Sequence, residues 1–98
     1  MEELTVLYVG LIRTVVPRAE ERLALPAGTT VGELLRELAG QYGERFRDAL
    51  FASDGSLLPN VMVLLDEESI AHREGLATPL AGHRRAHLLV TMTAIEGG

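Results

Sequence analysis

The sequence contains no cysteine, no lysine and no tryptophan, and two tyrosines and two phenylalanines are its only aromatic side chains. Without cysteine there is no disulfide framework, no thiolate nucleophile and no thiolate metal site. Without lysine no side-chain amine can attack an activated acyl group, since all nine cations are arginine. Apolar runs stay well short of the roughly 20 residues that a membrane span needs. The opening MEELTVLYVG begins with acids, not with a basic segment, and does not read as a secretory signal. These absences give the expectation of a soluble, cytoplasmic protein with no membrane partner. A net charge of −5 argues against a nucleic-acid partner. The one basic pair, Arg84-Arg85, reads as a solvated turn.

What is present is a chain of 98 residues, 47% of them hydrophobic, which predicts one domain around an aliphatic core. Leu4 to Ile12 (LTVLYVGLI) is rich in β-branched and apolar residues and predicts a first strand buried on both faces. Pro17 then marks a turn or an irregular hairpin loop. Glu20 to Leu25 alternates polar and apolar residues, which predicts a second, half-buried strand with Leu23 and Leu25 on one face.

The strongest local signal is Thr30-x-x-Glu33, a capping box in which the Thr hydroxyl and the Glu carboxylate each take the other's backbone N–H. Behind it Val31, Leu34, Leu35, Leu38, Ala39 and Tyr42 recur at helical spacing and make one apolar stripe. Arg36, Glu37 and Gln41 take the opposite face, and Gly40 and Gly43 predict the stop. A short helical turn over Glu44 to Leu50 would turn Phe46 and Leu50 inward. Asp54-Gly55 is a turn signal. Val61 to Leu65 predicts a third strand, turned by Asp66-Glu67-Glu68, and Ser69 to Pro79 an irregular connection. His87 to Ala94 predicts the last strand. The order is ββ-helix-ββ, an α+β pattern with one main helix on one face of a mixed sheet of four to five strands. The apolar last strand is expected at the centre, parallel to the first.

Catalytic patterns are missing. The three histidines are His72, His83 and His87, and a turn-and-strand setting would not bring the last two together on a metal. The sequence has no phosphate-binding glycine loop, no G-x-S-x-G and no H-E-x-x-H. Asp66-Glu67-Glu68 reads as a solvated hairpin turn, not as a carboxylate pair. No catalytic residue and no metal ligand is nominated.

The first strand VLYVGLIR, the segment LPAGTTVGELLRELAGQYGERFRDAL, then DGSLLPNVMVLL, the loop GLATPL and the final Gly97-Gly98 resemble the MoaD/ThiS family of sulfur carriers. The resemblance covers essentially the whole chain. It implies a ubiquitin-like β-grasp domain over residues 1–94 and a flexible tail over residues 95–98. It further implies that Gly98 is the site of acyl-adenylate and thiocarboxylate attachment, with Gly97, Glu96 and Ile95 recognised as the tail. The implied partners are an E1-like adenylating enzyme that uses ATP, a sulfurtransferase or cysteine desulfurase, and a downstream synthase. No cofactor would be bound by the carrier itself. By alternation and resemblance, Leu7, Val9 and Met92 are expected on a partner-binding sheet face.

Three features depart from the family pattern: VTMTAIEGG lacks a proline before the tail, Asp66-Glu67 stands where Asn-Gly is common, and HRRAH lengthens the approach to the last strand. GLATPL resembles carriers that supply sulfur for cysteine or other metabolites; molybdopterin and thiamine remain open as destinations. Two other functions fit the same pattern: a protein modifier conjugated through Gly98 to target lysines, and a β-grasp interaction domain whose terminal glycines are idle.

Overall fold

The structure is a computed structural model and describes residues 2–92. Five strands form one mixed sheet: β1 (Glu2–Gly10), β2 (Glu20–Leu25), β3 (Val61–Leu65), β4 (Glu68–Ser69) and β5 (Arg85–Val90), in the order β2-β1-β5-β3-β4. Helix α1 (Val31–Tyr42) and the shorter α2 (Glu44–Leu50) complete the domain. The last strand is central and parallel to β1, with Thr5 opposite Arg85 and Gly10 opposite Val90. β2 and β3 pair antiparallel on either side.

The first strand is buried on one face only, which corrects the expectation of a doubly buried strand. Leu4, Val6 and Tyr8 point into the core, while Leu7 is half-buried and Val9 is exposed on the other face. The strand also ends earlier, at Gly10, and a 3₁₀ turn over Leu11–Thr14 carries Ile12 into the core. The last strand runs from Arg85, not from His87, and closes at Val90; Arg85 is thus a strand residue and not part of a turn. The expected irregular stretch after Ser69 contains two 3₁₀ turns, Ile70–His72 and Gly75–Ala77.

Helix α1 starts where the capping box placed it. The Thr30 hydroxyl accepts from the Glu33 N–H at 3.2 Å, and Glu33 Oε1 accepts from the Thr30 N–H at 2.9 Å. Val31, Leu34, Leu35 and Leu38 are buried, and the helix runs through Gly40 to stop at Gly43, whose φ is 92°. The GLATPL loop is built into the helix start. Val31 donates to the Thr78 carbonyl at 2.9 Å, and Leu80 donates to the Thr29 carbonyl at 3.0 Å. Thr78 is fully buried, and a Cβ on Gly32 would press on Leu76. That motif is therefore a seat for the helix.

A buried polar knot joins β1, β2 and α1. The hydroxyls of Tyr8 and Tyr42 both donate to Glu21 Oε1, each at 2.5 Å. The Tyr42 ring meets Tyr8 edge-on and stacks on Phe46. Burial, and then the Glu21 carboxylate, push both phenols above their ordinary range, so both stay protonated as donors.

Two substitutions separate packing from backbone strain. Leu38→Ala removes a fully buried side chain and is expected to lower stability by about 2–5 kcal/mol in urea unfolding. Glu67, in the two-residue loop between β3 and β4, has φ 75°, a conformation that glycine adopts without cost. Glu67→Gly is expected to raise the melting temperature, by about 0.5–1 kcal/mol in free energy.

Candidate functional site

Alternation along the strands gives the sheet a second face, away from both helices. Its rows follow from the strand register. Val9, Leu89 and Met62 form one row across β1, β5 and β3, and Leu7, His87 and Leu64 form the next. Arg22, Thr5 and Arg85 form a third, and Glu20 beside Leu7 and Glu3 beyond Thr5 share the same face, so it is apolar at one end and charged, with both signs, at the other. Val9 is 41% exposed and Met62 49%, and with Leu89 between them they make a continuous apolar row. Leu7, Leu64 and Leu89 are half-buried.

Of the three residues nominated for this face, Leu7 and Val9 stand on it. Met92 lies two residues past β5 and is 79% exposed. Met62, Leu64 and Leu89 complete the patch and were not nominated. The signal was available in the alternation of VMVLL and HLLV, once the direction of each strand's inner face is known. Gly98, Gly97, Glu96 and Ile95 lie outside the described residues.

Asp66 fastens the charged end. Its carboxylate accepts from the backbone N–H groups of Arg84 (3.2 Å) and Arg85 (3.1 Å), and His83 Nδ1 lies 3.1 Å away. Burial of the Asp66 carboxyl pushes its pKa upward, but the N–H donors and His83 outweigh it and hold the pKa below the ordinary carboxylate value. The Asp66-Glu67 loop is thereby bonded to the start of β5. His87 does not join His83. It sits on the outer face, and its Nδ1 is buried without a partner among the described residues.

On the helix side, a groove of about 810 Å³ runs between α1, α2 and Leu76. Its charges are mixed, Arg36 and Arg47 with Glu44 and Asp48, and the Ser53 hydroxyl has no His or Cys beside it there. Among the described residues no group of three or more His, Asp or Glu could hold a metal ion. Among them, too, no helix is long and apolar enough to cross a membrane.

Comparison with known proteins agrees with that geometry. The family model described as "ThiS family" matches residues 6–93. A search of curated proteins gives no match. Among solved structures, Urm1 from Trypanosoma brucei superposes with a TM-score of 0.77 at 18% identity, covering 95% of each chain. SAMP1 from Haloferax volcanii gives 0.72 at 21% identity, over 99% of this chain and 100% of that one. CysO from Mycobacterium tuberculosis gives 0.71 at 21% identity, over 91% of this chain and 99% of that one. These likenesses show the ubiquitin-like β-grasp fold.

Asp66 predicts the acid limb of stability. A carboxyl with a depressed native pKa stabilises the fold above the unfolded value of about 3.9 and loses that contribution as pH falls through the native pKa. The melting-temperature gap between the protein and Asp66→Asn should therefore be widest near neutrality and should close below about pH 4. Thermal melts from pH 7 downward read it directly.

Proposed function

The chain belongs to the ThiS family of ubiquitin-like carriers and modifiers, and from that premise we propose that it carries sulfur on the carboxylate of Gly98. One observation carries the proposal. The described fold holds no catalytic set, and its central strand leads in sequence to Gly97-Gly98. The chemistry is therefore assigned to the terminal carboxylate and to enzymes that act on it.

A carboxylate oxygen of Gly98 attacks the α-phosphorus of ATP on an adenylating enzyme, and pyrophosphate leaves. Sulfide, or the outer sulfur of a persulfide from a sulfurtransferase or cysteine desulfurase, then attacks the acyl carbon and displaces AMP. With a persulfide the product is an acyl disulfide, which a thiol cleaves to leave the thiocarboxylate. On a synthase the thiocarboxylate sulfur finally attacks an electrophilic carbon of a small molecule and displaces its leaving group, and water cleaves the acyl–sulfur bond, returning the Gly98 carboxylate. Glycine at 98 puts no Cβ beside the reacting carbon, and glycine at 97 opens backbone conformations that other residues avoid. Docking of the body is assigned to the outer sheet face, through Leu7, Val9, Met62 and Leu89, with Met92 exposed just beyond the end of β5. Ile95, Glu96 and Gly97 are assigned to tail recognition.

The lysine-free composition supports a second reading. In a modifier, an amine of a target protein displaces AMP, or an intermediate thioester, from the same activated carbonyl. A body without lysine cannot form isopeptide bonds through its own side chains. Activation is common to both readings, and only the final nucleophile differs.

Intact mass spectrometry after incubation with ATP, the cognate adenylating enzyme and a sulfur donor tests the proposal. Replacement of one oxygen by sulfur at the C-terminus is the expected result. Gly-Gly remnants on lysines of other cellular proteins, with no sulfur on Gly98, would establish the modifier instead. A chain lacking Gly97-Gly98 that still supports its pathway in cells would defeat both, leaving an interaction domain.

A further inference from the structure

Thr91 is the point from which the chain runs on to Gly98, and among the described residues one neighbour supplies all its hydrogen bonds. The Thr91 N–H donates to the Asn60 carbonyl at 3.0 Å, and the Thr91 hydroxyl donates to the same oxygen at 3.3 Å. In return Asn60 Nδ2 donates to the Thr91 carbonyl at 2.7 Å. In an antiparallel ladder that third bond would come from a backbone N–H. Here the chain turns at Pro59-Asn60, and the side-chain amide supplies the donor. The ladder between β3 and β5 is thus carried one residue beyond its last pair, Val61 with Val90. Asn60 Oδ1 is buried without a partner among the described residues, so the Thr91 carbonyl is the group there that sets the amide's orientation.

The other edge of β5 is closed at the same level. Gly10 pairs with Val90 as the last step of the parallel ladder. Its φ is 81°, and a Cβ there would collide with the Val90 carbonyl oxygen. The final residues of β5 are therefore gripped from both sides, by a side-chain amide on one and a close-packed glycine on the other.

We infer that Asn60 is a positioning residue for acyl activation: it fixes the place and heading from which the tail delivers Gly98 to a partner that holds the sheet face. The inference rests on the acyl-transfer function proposed above. Gly98 is the seventh residue after Thr91, a reach of at most about 25 Å fully extended. A partner that grips the body at one surface and receives the carboxylate at another inherits any error in the tail's origin. A slip of one residue moves that origin by about 3.3 Å and reverses its face, whereas a misplacement of about 1 Å can cost a reaction on the order of 100-fold.

The test substitutes Asn60→Asp, which keeps the shape, removes the donor and sets a carboxylate oxygen against the Thr91 carbonyl. Pyrophosphate exchange into ATP is measured with the cognate adenylating enzyme, below the melting temperature of both chains. Amide hydrogen exchange at Thr91 is followed by NMR. The expected result is faster exchange at Thr91 and a kcat lower by about 10- to 100-fold, with KM for the carrier within about twofold. Faster exchange at Thr91 with an unaltered kcat overturns the inference and leaves the carrier reading standing; so does a change confined to KM. Unaltered exchange at Thr91 overturns it too, because the amide is then not what holds that residue. If the unaltered chain supports no pyrophosphate exchange, the acyl-transfer reading itself falls. Should Asn60→Asp fail to fold, Asn60→Ser, too short to reach the Thr91 carbonyl, is read by the same outcomes.

Discussion

The parallel pairing of β1 with β5 is the constraint on which the rest of the molecule depends. It joins the beginning of the fold to its end, so the sheet cannot close until the last strand enters between β1 and β3. Such non-local pairing carries a loop-closure cost that only burial can offset. The inner residues of β5, Ala86, Leu88 and Val90, are accordingly all in the core. Parallel strands also need a crossover, and the crossover supplies the helix that covers the inner face. Because β5 is central, both of its edges are engaged, and the chain leaves the domain from the middle of the sheet.

The same alternation that buries one face writes the other. Along β1, burial of Leu4, Val6 and Tyr8 commits Leu7 and Val9 to the outer surface; along β5, burial of Ala86, Leu88 and Val90 commits His87 and Leu89. The outer residues are not random polar fillers. They grade from a charged end, where Arg22 and Arg85 flank Thr5 and Glu3 and Glu20 lie nearby, to the apolar row of Val9, Leu89 and Met62 at the end of β5. A surface with unlike ends has a preferred orientation on a partner, since apolar contact gives affinity and charge gives register. On the proposed function, a carrier that presents one end of itself needs such an orientation.

Much of this was legible in the sequence because it is local. The capping box at Thr30 and Glu33, the stripe from Val31 to Tyr42, the second strand and the third strand are set by neighbours within a turn or a few residues. The errors lie where long-range partners decide. LTVLYVGLI looks apolar on both faces, and only the position of the core shows that Leu7 and Val9 face outward. The start of β5 at Arg85 depends on Asp66, nineteen residues away, whose carboxylate caps the Arg84 and Arg85 amides. Met62 and Leu89 were hidden for the same reason, since a surface patch is a property of register between strands. No pattern within one segment marks Asn60, whose partner is 31 residues distant.

A carrier faces two opposed requirements. The end that reacts must enter confined sites on successive enzymes, which favours glycine at 97 and 98, at the entropic cost of holding them still in each complex. That cost rises with every further residue left to be ordered, so the permissive segment is best kept short and its origin fixed. The structure meets the second requirement at Val90 and Thr91, where Gly10 and Asn60 close on the strand from either side. On the proposed function, the closed strand end at Thr91 and the choice of glycine at 97 and 98 serve the same delivery. The body reduces the volume that Gly98 can search, and the glycines let it take whatever approach the partner's channel demands.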